Sequence, residues 1–81
     1  MTAPRRNPDF DAVIGARIRA RRLKIGMDES TFGDKIGVGT IQVWRIEKGK
    51  CSIVLCAAFV IADALGTTIG ALTRGISWKE K

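Results

Sequence analysis

Residues 40–45 read Thr-Ile-Gln-Val-Trp-Arg, and several of these side chains carry the chemistry needed to recognise the edge of a base pair. The amide of Gln42 can bond adenine N6 and N7 together, and the guanidinium of Arg45 can fork onto guanine O6 and N7. The methyl groups of Thr40 or Ile41 can touch a thymine methyl. Two short helical patterns, 29–36 and 40–47, meet at a glycine-centred break just before these residues. Gly37 ends the first pattern as a residue able to adopt positive φ, and Val38 begins a tight turn. Thr40 is expected to cap the second helix. Val43 and Ile46 then face inward, and Thr40, Ile41, Gln42, Trp44 and Arg45 face outward in varying degree. Gly33 lies inside the first pattern, where it costs about 1 kcal/mol relative to alanine. Two helices crossing steeply at a missing side chain would account for it.

The rest of the chain supplies the frame. A first helix starts with negative charge at Asp9 or Asp11 and runs to about Ile25, with Phe10, Ile14, Ile18 and Ile25 as its apolar stripe. Its other faces carry Arg17, Arg19, Arg21, Arg22 and Lys24. Gly26 terminates it, and Asp28 is the expected N-cap of the second helix, about Glu29 to Ile36. The third helix spans about Thr40 to Glu47 and stops before Gly49. Ser52 is expected to cap a fourth helix that runs to Leu65 and is closed by Gly66. Thr67 or Thr68 starts a short fifth helix ending near Leu72. No strand pattern occurs, so the fold class is all-α, a five-helix bundle over 9–72. Residues 1–8 read as a flexible basic arm, and 73–81 as a tail holding Ile76 and Trp78 without periodicity.

Composition narrows the chemistry. The 81 residues hold 14 Lys plus Arg against 8 Asp plus Glu, a formal charge of +6 that favours polyanionic partners. With no histidine, histidine-based acid–base catalysis and histidine metal ligation are excluded. There is no glycine-rich phosphate loop with its lysine and no carboxylate cluster for a metal, so no cofactor, metal or enzymatic site is expected. Cys51 and Cys56 lack the paired spacing of a zinc site, and their separation on a helix puts them on different faces. Free thiols fit a reducing cytoplasm, with Cys56 as core or interface filler. The longest apolar run, Ile53 to Ala62, falls well short of the roughly 20 residues that cross a bilayer. No secretory signal is visible, and the expectation is a soluble protein.

From Ile53 to Leu65 the only charge is Asp63, whereas a surface helix should show a polar stripe. The bundle core can use Leu55, Ala58, Ile61, Ala62 and Leu65. Cys56, Phe59 and Val60 are left over, and surplus apolar surface marks an interface. A twofold homodimer is the first reading. Another protein partner on this helix, or cover by Ile76 and Trp78, are the others.

In order along the chain come Ile14-Gly15-x-Arg17-Ile18-Arg19, then Arg22, then Gly26-Met27. Gly37-Val38 and Arg45-Ile46-Glu47-Lys48-Gly49-Lys50 follow, and Ile61-Ala62-x-Ala64-Leu65-Gly66 completes the series. Together these segments resemble the Cro and phage-repressor class of helix-turn-helix domain, also called the xenobiotic-response-element class, over about three quarters of the chain. The stretch NPDFDAVIGARIR and residues 42–49 further resemble small rhizobial-type transcriptional regulators. The resemblance implies a lambda-repressor-like bundle whose helix-turn-helix covers about 29–47. It implies a partly buried ion pair between Arg22 and Glu47, with a phosphate contact as the lesser reading of Arg22. Base contacts would fall on Thr40, Ile41, Gln42 and Arg45. Phosphate contacts would fall on helix N-termini, on Lys48 and Lys50, and on Arg17 or Arg19. Trp44, where the class has a small or polar residue, either reaches a phosphate or sugar or packs against protein.

One departure bears on function. The class begins its second helix with Ser-Gln, the Gln meeting a phosphate, whereas Asp28-Glu29 stands here. Two carboxylates suit the helix dipole and repel a phosphate. This departure is the main argument in the sequence against DNA binding. The outward face of the third helix and the resemblance imply a dimeric, sequence-specific regulator of transcription, a repressor on a pseudo-palindrome of double-stranded DNA. The competing reading is a protein-interaction or antitoxin-like module on the same fold.

Overall fold

Helix α1, Pro8–Lys24, is organised by a line of side chains at helical spacing in which Asp11, Ile14, Ile18 and Arg22 are all buried. The computed structural model describes residues 8–53 and 55–75, with side chains throughout except at 8, 9, 55 and 56. After α1 come α2 (Glu29–Ile36), α3 (Thr40–Glu47), α4 (Leu55–Ala64) and α5 (Ile69–Thr73). The described residues contain no strand, and the all-α, five-helix expectation holds. Expectations for the arm before Pro8 and for Ile76 and Trp78 lie outside the described residues, and those for Leu55 and Cys56 fall on side chains that are not described.

The core gathers Ile14 and Ile18 from α1, Phe32 from α2, Val43 and Ile46 from α3, Ile61 and Ala62 from α4 with Leu65 just beyond it, and Leu72 from α5. Helix α1 packs on α3 and α5, α2 packs on α3 and α4, and α4 packs on α5. Ile25, expected on the apolar stripe of α1, is exposed. The helix ends at Lys24, and the buried position four residues after Ile18 is filled by Arg22.

Arg22 is accommodated because each of its three side-chain nitrogens has an acceptor. Its Nε donates to Glu47 Oε2 at 2.7 Å, its Nη2 to Glu47 Oε1 at 3.0 Å, and its Nη1 to the Met27 carbonyl at 2.9 Å. The two side chains are 5% and 4% exposed. Donation to the Glu47 carboxylate raises the pKa of the guanidinium above its ordinary value, outweighing the opposite push of burial. One charged pair thus ties the end of α1, the α1–α2 turn and the end of α3, and Arg22 is structural.

Beside this pair, α1 and α3 meet almost backbone to backbone. A Cβ added at Gly15 would run into the carbonyl oxygens of Ile46 and, at 2.8 Å, Glu47. Gly49, with φ +70°, makes the reciprocal approach, since a Cβ there would lie 2.6 Å from Ala12 Cα.

Two expected caps are corrected. Gly39, not Thr40, occupies the N-cap position of α3, and no side-chain cap bond is made there. Ser52 lies outside α4, because its hydroxyl donates to Asp11 Oδ2 at 3.2 Å and pins the α3–α4 loop to α1 instead. Cys51 lies in that same loop rather than on a helix, so the argument from opposite helix faces does not apply. The Asp28 cap is found as expected, with Oδ1 accepting from the Thr31 N–H at 2.7 Å. Thr68 caps α5 in the same way.

Three outcomes follow for denaturation measurements. Gly15→Ala should destabilise the fold by about 1–3 kcal/mol, because the atoms in the way are backbone and cannot rotate aside. Glu47→Gln should cost about 3–5 kcal/mol by stranding a buried guanidinium, and Arg22→Met with Glu47→Leu should recover most of that loss. The bond from Thr31 N–H holds the Asp28 carboxyl below its ordinary value of 3.8, so its contribution is present above that pH and lost as pH falls through the lower folded value. Asp28→Ala should therefore melt earlier than the parent near neutrality, with the gap in melting temperature closing in acid.

Candidate nucleic-acid interface

The α2–turn–α3 unit is built from glycine placement. Helix α2 ends at Gly37, whose φ of 79° lets its N–H and that of Val38 both bond the Gly33 carbonyl. The chain then reverses over Val38 and Gly39 into α3. At the crossing, a Cβ on Gly33 would sit 2.6 Å from the Val38 carbonyl oxygen and 3.4 Å from Val43 Cγ2. The missing side chain is what lets the two helices approach, as the sequence suggested.

Val43, Ile46 and Glu47 are buried on the inner side of α3. At about 100° per residue, Ile41, Trp44, Arg45 and Lys48 project together on the opposite side. Ile41 is 71% exposed and Trp44 48% exposed, and Arg45 and Lys48 are exposed, their side chains with no hydrogen-bond partner among the described residues. Thr40 is exposed at one edge of this face. Gln42 lies at the other edge and is half-buried, its Nε2 donating to Cys51 Sγ at 3.5 Å. It borders a cavity of about 300 Å³ between α2, α3 and α4, lined by Ile36, Val38, Ile46 and Val60 among others. The base-contact candidates are thus not equivalent, with Arg45 free and central and Gln42 engaged and lateral.

The phosphate candidates separate in the same way. The side chains of Lys48, Lys50 and Arg19 are without partners among the described residues, and all three residues are exposed. Arg17 is engaged at the far end of the bundle, its Nη1 donating to the carbonyls of Leu72 and Arg74. Gly15, against α3, and Arg17, two residues on, are about 200° apart around α1. Arg17 therefore stands on the flank turned away from α3. Sequence reasoning also missed Arg21, which donates from Nε to the Leu65 carbonyl at 3.0 Å and from Nη2 to Gly66 at 3.1 Å. The available signal was Gly66 itself, since a helix terminus closed by glycine leaves carbonyls in need of donors.

At the start of α2 the Asp28 carboxylate is occupied by the Thr31 N–H, and Glu29 is exposed beside it. That terminus is negative. The start of α3 has no side-chain cap, and Gly39 offers no Cβ that would shield its first N–H groups. On α4, Phe59 is 62% and Val60 47% exposed, in line with the surplus apolar surface expected there. No described helix is long and apolar enough to cross a membrane, and no described group of His, Cys, Asp and Glu could hold a metal ion.

No family model matches the chain. Among curated proteins, it is 36% identical over 59 residues to a Rhodospirillum rubrum protein described as a transcriptional regulator in the ATPase CF(0) region. That match covers 73% of this chain and 55% of the relative, so the chain spans little more than half of that protein's length. Among solved structures, the P22 c2 repressor in complex with a synthetic operator superposes with a TM-score of 0.71 at 25% identity, over 78% of this chain and 96% of that one. Hydroxypropylphosphonic acid epoxidase from S. wedmorenis superposes with a TM-score of 0.81 at 26% identity, over 88% of this chain but 38% of the enzyme. The bundle therefore also occurs as one part of a longer enzyme. With the ordered motifs, the glycine-built crossing of α2 and α3 and these likenesses together, the chain carries a helix-turn-helix domain of the lambda-repressor-like fold, similar to those of the Cro and phage-repressor class.

Proposed function

We propose that the domain binds double-stranded DNA sequence-specifically, with α3 in the major groove, and acts as a regulator of transcription, most simply as a repressor. The observation that carries this reading is the outward face of α3, where Arg45 and Lys48 stand free beside Ile41 and Trp44 in a chain of charge +6. A guanidinium with no internal partner keeps its whole donor fork for a guanine edge. Thr40 and Ile41 suit a thymine methyl. Gln42 can serve an adenine only after exchanging its contact with Cys51.

Phosphate contacts are assigned to Lys48, Lys50, Arg19 and Trp44, and to the uncapped N–H groups at the start of α3. The negative start of α2 is unsuited to the phosphate contact that the class makes there, which shifts the anchoring toward α3 and the α3–α4 loop. A homodimer through Phe59 and Val60 would set two α3 helices about one DNA turn apart, roughly 34 Å, on a pseudo-palindrome.

The exposed Phe59 and Val60, with Asp28 and Glu29, favour a second reading: a protein-interaction module on the same fold with weak or no DNA binding, as an antitoxin-like role would use. Selection from a randomised duplex library at about 0.15 M salt separates the two, because diffuse phosphate attraction is largely screened there. Enrichment of an inverted repeat is expected. No enrichment of any sequence would leave the protein-interaction reading. On the selected site, Arg45→Ala should lower affinity by about 1–3 kcal/mol and relax one base position. Unchanged binding across operator variants would remove Arg45 from the readout.

A further inference from the structure

At the corner of α1 and α5, away from α3, lies a depression of about 460 Å³ lined by Arg17, Ala20, Arg21, Thr67, Ala71 and Arg74, with Leu72 at its floor. Three arginines line it, and among the described residues lining it there is no carboxylate. Two of the three are held in place. Arg17 donates to the Leu72 and Arg74 carbonyls, and Arg21 donates to Leu65 and Gly66. A guanidinium has five N–H donors, so both keep donors available after these bonds are made. The Arg74 side chain has no hydrogen-bond partner among the described residues, and the alanines leave the volume open.

Capping of helix-terminal carbonyls explains Arg17 and Arg21. It does not explain why a third cation stands beside them with no acidic residue among the described residues that line the depression. A concave site lined by one sign concentrates the potential, and fixed guanidinium forks match phosphate oxygens in pairs. A phosphate group there would offset the mutual repulsion and add to the bonds holding α5 to α1.

We propose that this depression is a binding site for a small phosphate-bearing anion, specifically a diphosphate group. Free pyrophosphate and the diphosphate of a nucleotide share this chemistry. The site lies on the flank of α1 opposite α3, so it is separate from the proposed DNA face and does not depend on that reading.

The test is isothermal titration calorimetry of the full chain with sodium pyrophosphate and with ADP at about 0.15 M chloride, where weak attraction to a basic protein is screened. One-to-one binding by the parent is expected. Arg74→Ala should weaken it about tenfold or more, the size of losing a charged hydrogen bond. Ala71→Glu, an exposed position that brings a carboxylate to the site, should abolish it. Both variants should keep the parent's helical circular dichroism, because neither side chain supports another element, and Arg45→Ala should bind as the parent does. Equal affinity for the two probes assigns the site to the diphosphate alone, and tighter ADP binding assigns it to a nucleotide. The proposal is overturned by no binding to the parent at about 1 mM ligand, or by equal weakening from Arg45→Ala and Arg74→Ala. Loss of pyrophosphate binding when the chain is saturated with duplex DNA would also overturn it. Failure of DNA binding itself would leave all these titrations unchanged.

Discussion

The Arg22–Glu47 pair is the constraint on which the remaining geometry depends. In so small a chain the interior consists of a few apolar side chains, and two positions that would ordinarily enlarge it are given to opposite charges. Desolvating them is costly, and only a complete set of partners offsets the cost. The bidentate bond and the Met27 carbonyl supply that set. Because both charges must meet in one geometry, the end of α1 and the end of α3 are held in one register. The close approach of Gly15 to α3, and of Gly49 to α1, follows from the same docking.

The chain's basic residues fall into different classes by partner. Arg22 is enclosed, while Arg17 and Arg21 are held at carbonyls where α4 and α5 end. The side chains of Arg19, Arg45, Lys48 and Lys50 have no partner among the described residues. Net charge alone would have treated them as one field. Their separation by hydrogen bonding is what divides the cations that hold the bundle together from those free to meet an external anion.

The helices around the α2–α3 turn were legible because each boundary carries a residue with one local job. Asp28 accepts the Thr31 N–H, Gly37 takes positive φ, and Gly33 makes room at the crossing. Periodicity gave Ile14, Ile18, Val43 and Ile46 as core. Elsewhere local pattern was overruled by partners distant in sequence. Ser52 had the form of a helix cap, but its hydroxyl is taken by Asp11, 41 residues away. Arg17 read as a candidate phosphate contact and is bound across 55 residues to Leu72. Ile25 continued the apolar stripe on paper, yet the helix stops before it. The family motif identified Arg22 and Glu47, which charge pattern alone could not pair. At the candidate site the motif gave the membership of the α3 face but not its order, since nothing local marks Gln42 as turned toward Cys51.

The lack of internal bonds on the outer side of α3 has an evolutionary consequence. Ile41, Arg45 and Lys48 support no other element, while the position of α3 is fixed from behind by Val43, Ile46, Glu47 and the glycine contacts. Substitutions on that face are therefore nearly orthogonal to folding. A gene duplicate could drift to a new target through a handful of codons while its scaffold stayed under unchanged selection.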